Sequence, residues 1–328
     1  MPRSPQKADP PRADGRRHRD QPDRDGSNAT LIANGGTSGG SGGLSEFNGT
    51  ASGGTARAVV NAGATLDLRP SLSASVAIGS IEGAGSLLLD GILAAGGNGR
   101  STTFSGIISE GGGLTKEGSG TLTLTGANSY TGATRVAGGT LAGSGCASSA
   151  LTVEGGGTIA PGPSIGTFAC TAAVFQSGST FRVEVGSSGP AADRLDAQGN
   201  VTIEAGATLD VSDLASSPVA LAGGTLLPII DYAGHTLTGT FNGLPGGAEF
   251  TVGANTFAIG YQAGGSTMVA LTAVGGGGNA YALWAGANGI PGDSFDADFD
   301  KDGIPNGLEW VLGGNQGGQD PPLVAIAR

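Results

Sequence analysis

A short unit recurs through most of this chain: a glycine or other small residue, then Ser or Thr, then the first apolar residue of a short alternating run. It occurs at Thr65-Leu66, Ser86-Leu87, Thr121-Leu122, Thr140-Leu141, Thr158-Ile159, Thr180-Phe181, Thr208-Leu209, Thr225-Leu226 and Thr240-Phe241. The steps between the hydroxyl residues are 21, 35, 19, 18, 22, 28, 17 and 15, and Thr103-Phe104 divides the long one into 17 and 18. A repeat near 20 residues is the signature of a stacked architecture, in which no single unit can bury its apolar face alone. Within the units the apolar residues alternate, as in Leu66/Leu68, Leu122/Leu124, Val183/Val185 and Val201/Ile203. Period two means short strands with one face buried, and the runs are too short for helices.

The connections decide between coil and hairpin. Hairpins favour Asn-Gly and Asp-Gly turns, whereas here Gly-Gly, Gly-Ala and Gly-Ser dominate. At ~3.3 Å per residue, a 20-residue circuit has a perimeter of ~65 Å, room for two or three short faces and their corners. Stacked at ~4.8 Å, the circuits of residues 45–275 would build a rod ~50 Å long. A β-sandwich is the competing architecture. Aromatic residues at only 5% of the chain leave too little bulk for a wide two-layer core. The fold class predicted is all-β: a parallel β-helix over 45–275, followed by a short helical calcium-binding segment.

Composition sets the flanks. Charged residues make up 13% of the 328, against 38% apolar, too little charge and too much hydrophobicity for a wholly disordered chain. Residues 1–26 hold seven basic and five acidic side chains and read as a disordered charged tail, and 27–44 as a Gly/Ser-rich lead-in. The remainder is acidic and repels phosphate backbones, so no nucleic acid is expected as a partner. The most apolar stretch, Leu214–Ile230, is broken by Pro218, Gly223, Gly224 and Pro228, so no membrane-spanning helix is predicted. No apolar segment follows the early arginines, and an export signal is expected upstream of Met1. Cys146 and Cys170 read as small buried hydrophobes, with a disulfide between neighbouring turns as the alternative.

One unit is specific enough to resemble a known family. Residues 112–134 read Gly-Gly-Leu-Thr-Lys-Glu-Gly-Ser-Gly-Thr-Leu-Thr-Leu-Thr-Gly-Ala-Asn-Ser-Tyr-Thr-Gly-Ala-Thr and lead to Val136 and Gly139-Thr140-Leu141. This is similar to the autotransporter-associated β-strand repeat of bacterial surface and secreted proteins. The resemblance implies a right-handed parallel β-helix of passenger type. Leu122, Leu124, Val136 and Leu141 should then point inward, Gly126 and Gly132 should turn corners, and Asn128 should join a ladder at a bend. The chain holds one clear copy. After residue 275 it lacks the series of alternating strands that would close a membrane barrel, so self-secretion is not expected of it.

Gly275–Gly278 marks a change of period, and 276–279 reads as a linker. Tyr281, Trp284 and Ala285 share one helical face, as do Leu308, Val311 and Leu312, giving a helix-loop-helix module over 280–315 and a tail over 316–328. The loop matches the pattern of a Ca²⁺-binding EF-hand loop from Asp298. Carboxylates of Asp298, Asp300 and Asp302 would converge on one hard cation, Gly303 allows the sharp turn, the Ile304 carbonyl and Asn306 add oxygens, and Glu309 can bind through both of its own. Pro305 departs from an ordinary EF-hand and suits the first turn of the next helix. The segment resembles the calcium motifs of thrombospondin type 3 and dockerin modules, which implies one structural Ca²⁺ with Kd on the order of 10⁻⁴–10⁻³ M.

Catalytic parts are scarce. His235 has no organised acid or nucleophile beside it and reads as a loop residue. Asp193/Asp196 and Asp210/Asp213 are the one set of carboxylates that neighbouring circuits could gather, which keeps a polysaccharide-acting β-helix enzyme as the alternative function. The principal reading is a non-enzymatic exported bacterial structural or adhesive protein, extracellular or at the cell surface, contacting envelope components or carbohydrate.

Overall fold

A computed structural model describes residues 18–19, 29–36, 40–71, 73–145, 148–261 and 267–274 of the chain. These form short strands with no helix among them, arranged in sheets of five, ten, eight and six strands. Most pairings are parallel and join each strand to one a circuit later, as a coil requires: Thr121 lies beside Thr140, Thr140 beside Thr158 and Thr158 beside Thr180. The ten-stranded sheet runs from Thr30–Ala33 to Thr208–Asp213. The eight-stranded sheet runs from Ser75–Ile78 to Leu237–Thr238.

A third face changes character along the coil. The five-stranded sheet forms it up to Ile107–Ser109, and the six-stranded sheet takes it up from Thr167–Cys170. Between them irregular backbone keeps the stacking bonds. Ser129 N–H donates to the Ile108 carbonyl at 2.9 Å, Thr131 N–H to that of Glu110 at 3.0 Å, and Ala169 N–H to that of Ser144 at 3.0 Å. Each backbone donor finds an acceptor one circuit away, so a face need not be regular strand to be satisfied.

The core is a column of aliphatic residues contributed rung by rung. Ala58, Ile81, Leu122, Leu141, Ile159 and Phe181 are buried in the ten-stranded sheet, and Leu93, Leu114, Leu151, Ala173 and Val201 in the eight-stranded one. Each inward Leu or Ile contributes roughly 2 kcal/mol by leaving water. The outward row of the ten-stranded sheet is the run Thr121–Thr140–Thr158–Thr180–Thr208, in register across five rungs.

The parallel stack has other limits than the sequence suggests. It begins before 45, because Thr30–Ala33, in the predicted lead-in, pairs with Arg57–Val60. Within the predicted tail, His18 and Arg19 pair with Ser45 and Glu46. It also stops short of 275. Leu226–Asp231 still runs parallel to Arg194–Ala197, but its other edge takes Met268–Val274 antiparallel, followed by Asn255–Gly260 and Glu249–Val252. Residues 226–274 are therefore mostly an antiparallel cap. Thr225-Leu226 and Thr240-Phe241 continue the sequence repeat without continuing the coil. Leu226 is 42% exposed, so its place in the pattern does not turn it inward.

Candidate functional site

The unit at 113–143 forms one closed circuit: Gly113–Lys116, Thr121–Leu124, a bend at 126–133, Thr134–Val136 and Gly139–Gly143. Leu122, Leu124, Val136 and Leu141 are buried, as their alternation predicts. Gly126 and Gly132 do turn the bend against the circuit below. A Cβ on Gly126 would sit 1.8 Å from the Gly106 carbonyl oxygen, and one on Gly132 would sit 2.5 Å from that of Gly112. Asn128 spans three circuits: its Oδ1 accepts from Ile108 N–H at 3.1 Å, and its Nδ2 donates to the Gly145 carbonyl at 3.2 Å. The ladder is thus one of side chain to backbone.

Two polar residues of this circuit lie deeper than their type suggests. Lys116 is 0% exposed. Its Nζ donates to the carbonyls of Glu117, Gly118 and Gly138, the last two at 3.1 Å, so one ammonium ties a corner of its own circuit to the next. Burial pushes its pKa down to about 8, and at neutral pH it still carries the proton these bonds require. Tyr130 is also buried, and its hydroxyl meets Thr134 Oγ1 at 2.7 Å. That oxygen meets Ser149 Oγ at 2.7 Å, and Ser149 Oγ donates to the Gly132 carbonyl at 2.8 Å. A chain of hydroxyls thereby closes the bend from inside. The inward position of Lys116 was legible, since it shares the parity of Leu114 on one strand. Charge alone argued the other way.

The carboxylates weighed as a catalytic set serve separate partners. Asp193 is 1% exposed and accepts from Gly166 N–H at 2.8 Å and from Glu184 N–H at 2.9 Å. Burial pushes its pKa up to about 6 against the pull of those two bonds. Asp196 accepts from Gln198 Nε2 at 2.8 Å, and Asp210 pairs with Arg182 at 3.1 Å. Asp213 Oδ1 accepts from the backbone N–H groups of Ser187 and Ala215. His235 is exposed in a turn, its N–H donating to the Tyr232 carbonyl at 2.8 Å. Cys170 is a buried free thiol that burial pushes up to about 12, which keeps it protonated and unreactive. A shallow, uncharged cavity of about 310 Å³ lies between 203–206 and 239–245, lined by Ile203, Gly206, Thr240, Asn242 and Pro245.

Among the described residues no cluster of three His, Cys, Asp or Glu is placed to hold a metal, and no helix is long and apolar enough to cross a membrane. The predicted calcium ligands Asp298, Asp300, Asp302, Ile304, Asn306 and Glu309 lie outside the described residues, as do Cys146 and the whole 280–315 module.

No curated protein matches the chain. Residues 114–142 match the family of the passenger-associated transport repeat. The matched span opens on the first inward leucine, Leu114, and closes at Ala142, so the repeat corresponds to a single turn of this coil.

Proposed function

We propose that this chain is part of an exported bacterial passenger: a non-enzymatic β-helix that presents long polar faces outside the cell, where they contact envelope components or carbohydrate. The observation that carries the reading is the agreement between repeat and circuit. Residues 114–142, matched to a repeat of transported passengers, are also one physical turn whose Gly, Lys, Asn and Tyr each hold a corner or a bend. The stack continues the same geometry on both sides with other side chains, which supports extending the passenger reading beyond the matched turn. The winding is right-handed in this proposal, as crossovers between parallel strands of one sheet nearly always are. The engagement of Asp193, Asp196, Asp210 and Asp213 with separate partners favours a scaffold over a polysaccharide-cleaving enzyme. The decisive experiment labels intact producing cells with antibody to the folded chain. Labelling without permeabilisation is expected, and labelling that appears only after permeabilisation sinks the proposal.

A structural Ca²⁺ held by Asp298, Asp300, Asp302, Ile304, Asn306 and Glu309 belongs to the same proposal. Its support is the ligand spacing alone. Calorimetric titration should show one site per chain that is lost in Asp298→Ala/Glu309→Ala, and an absence of heat in the parent chain removes the ion from the account.

A further inference from the structure

The end of the ten-stranded sheet is left unfinished. Its last strand, Thr208–Asp213, pairs with Thr180–Gly186 on one side, and among the described residues no strand pairs with its other side. Thr208 N–H donates to the Ser179 carbonyl at 2.9 Å and Leu214 N–H to that of Val185 at 2.8 Å. Parallel pairing alternates, so the N–H and C=O groups of Leu209 and Val211 face the open edge. The chain starts to cover that edge and then abandons it. Asn242 N–H donates to the Ala207 carbonyl at 2.7 Å and Phe241 stacks on Phe181 with ring centroids 6.2 Å apart, but a turn at Phe241–Leu244 and Pro245 leads the backbone away. Leu209 and Val211, inward by parity, are left half-buried, and Leu214 and Val219 beside them are 46% and 52% exposed. A six-residue edge of this kind is a template for one more strand.

We propose that residues 322–327 of this same chain, Pro-Leu-Val-Ala-Ile-Ala, add to the Thr208–Asp213 edge as the closing strand of the stack. The path of the chain points there. Val274 pairs with Thr256, next to Asn255, whose side chain accepts from Leu221 N–H at 2.6 Å and donates to the Val219 carbonyl at 2.8 Å. In the turn before Asn255, a Cβ on Gly253 would lie 3.5 Å from Asp213 Oδ2. The chain therefore leaves the described structure beside the C-terminal end of the open edge. The intervening 275–321 is ample to reach along a strand of six residues.

Composition selects the segment. Tyr281–Ala285 and Leu308–Leu312 carry helical spacing, whereas Leu323–Ala327 is an uncharged apolar run with β-branched Val324 and Ile326. It follows Asp320 with no further acid and precedes Arg328, which suits an edge bearing Asp210 and Asp213. Two copies of Thr208–Asp213 pairing with each other would bring those same acids together, which disfavours a second copy as occupant.

Hydrogen exchange on the full chain tests this. Amides of the 207–214 peptide should exchange slowly, and Val324→Pro/Ile326→Pro, which removes two donors from the added strand, should accelerate them about a hundredfold, as expected when an opening cost of a few kcal/mol is lost. The peptide holding Thr121–Leu124 is the internal control. If it accelerates too, the comparison is repeated with a chain ending at Gln319. Fast exchange of 207–214 in the parent chain overturns the proposal. So does slow exchange that persists in the variant, whether light scattering reports a dimer, meaning a second copy covers the edge, or a monomer, meaning another segment does.

Discussion

The circuit at 113–143 and the cap at 226–274 are built from similar sequence and held by different means. In the circuit, every rung repeats the register of its neighbours, and the special side chains bond to backbone: Lys116 to three carbonyls, Asn128 to the circuits on both sides. In the cap the strands reverse, and large side chains do the joining. Phe241 packs between Phe175 and Phe181 at 5.9 and 6.2 Å, Tyr261 Oη donates to the Leu244 carbonyl and accepts from Phe241 N–H, and Asn255 holds Val219 and Leu221. The stack is a nearest-neighbour structure, stable wherever a like rung lies on either side. The cap depends on particular contacts between distant segments. A coil must end somewhere, and aromatic bulk closes the column where another aliphatic rung would only expose the next edge.

The contrast can be broken most severely at Phe241. Phe241→Ala removes the ring shared by coil and cap and should cost about 4 kcal/mol. The cap should then melt or be clipped by protease while fragments covering 57–200 survive. A single cooperative loss of the whole chain would show that coil and cap are one unit. Lys116→Met, nearly the same in volume, leaves three buried carbonyls without their donor and should cost about 3 kcal/mol, read as a lower denaturation midpoint for the stack. Protease resistance of the cap should be unchanged, because a nearest-neighbour stack confines the damage to adjoining turns.

A smaller effect comes from Asp193, whose folded pKa of about 6 lies above the ordinary 3.8. A carboxyl raised on folding gives stability that is fully present below the unfolded value and lost as pH rises through the folded one. The chain should therefore lose about 1–3 kcal/mol between pH 4 and pH 7 on this account. Asp67 does not share that window: burial works to raise it, but the hydrogen bonds and charge of Arg69 prevail and hold it below its ordinary value. Denaturation midpoints at pH 5 and 7.5 should differ in the parent chain, and the difference should shrink in Asp193→Asn. An equal slope in both chains assigns the effect elsewhere.

Period, alternation and turn chemistry were enough to read the coil. Strands one residue out of phase would expose every leucine, so Leu122/Leu124 and Val201/Ile203 leave little freedom in which face is inside. The same signals carried the bend glycines and Asn128. They failed at Lys116 and Tyr130, whose burial depends on carbonyls and hydroxyls supplied by other turns, and at Asp193, which composition offered as an exposed acid. They failed again at Thr225-Leu226 and Thr240-Phe241. There the local pattern is that of another rung, and the partner decides otherwise: Leu226 lies beside Thr272 of an antiparallel strand, and Phe241 fills the end of the column.

By itself the sequence determined a β-rich chain that winds in circuits of about 20 residues with small corners and aliphatic rungs, because strand period and corner glycines are properties of residues close together in the chain. Only the tertiary structure decided where the winding starts and stops, which ions lie inside it and which edge is left open. Those outcomes rest on bonds between residues twenty or more apart, such as Lys116 to Gly138 and Asn242 to Ala207, and short-range pattern holds no record of the partner.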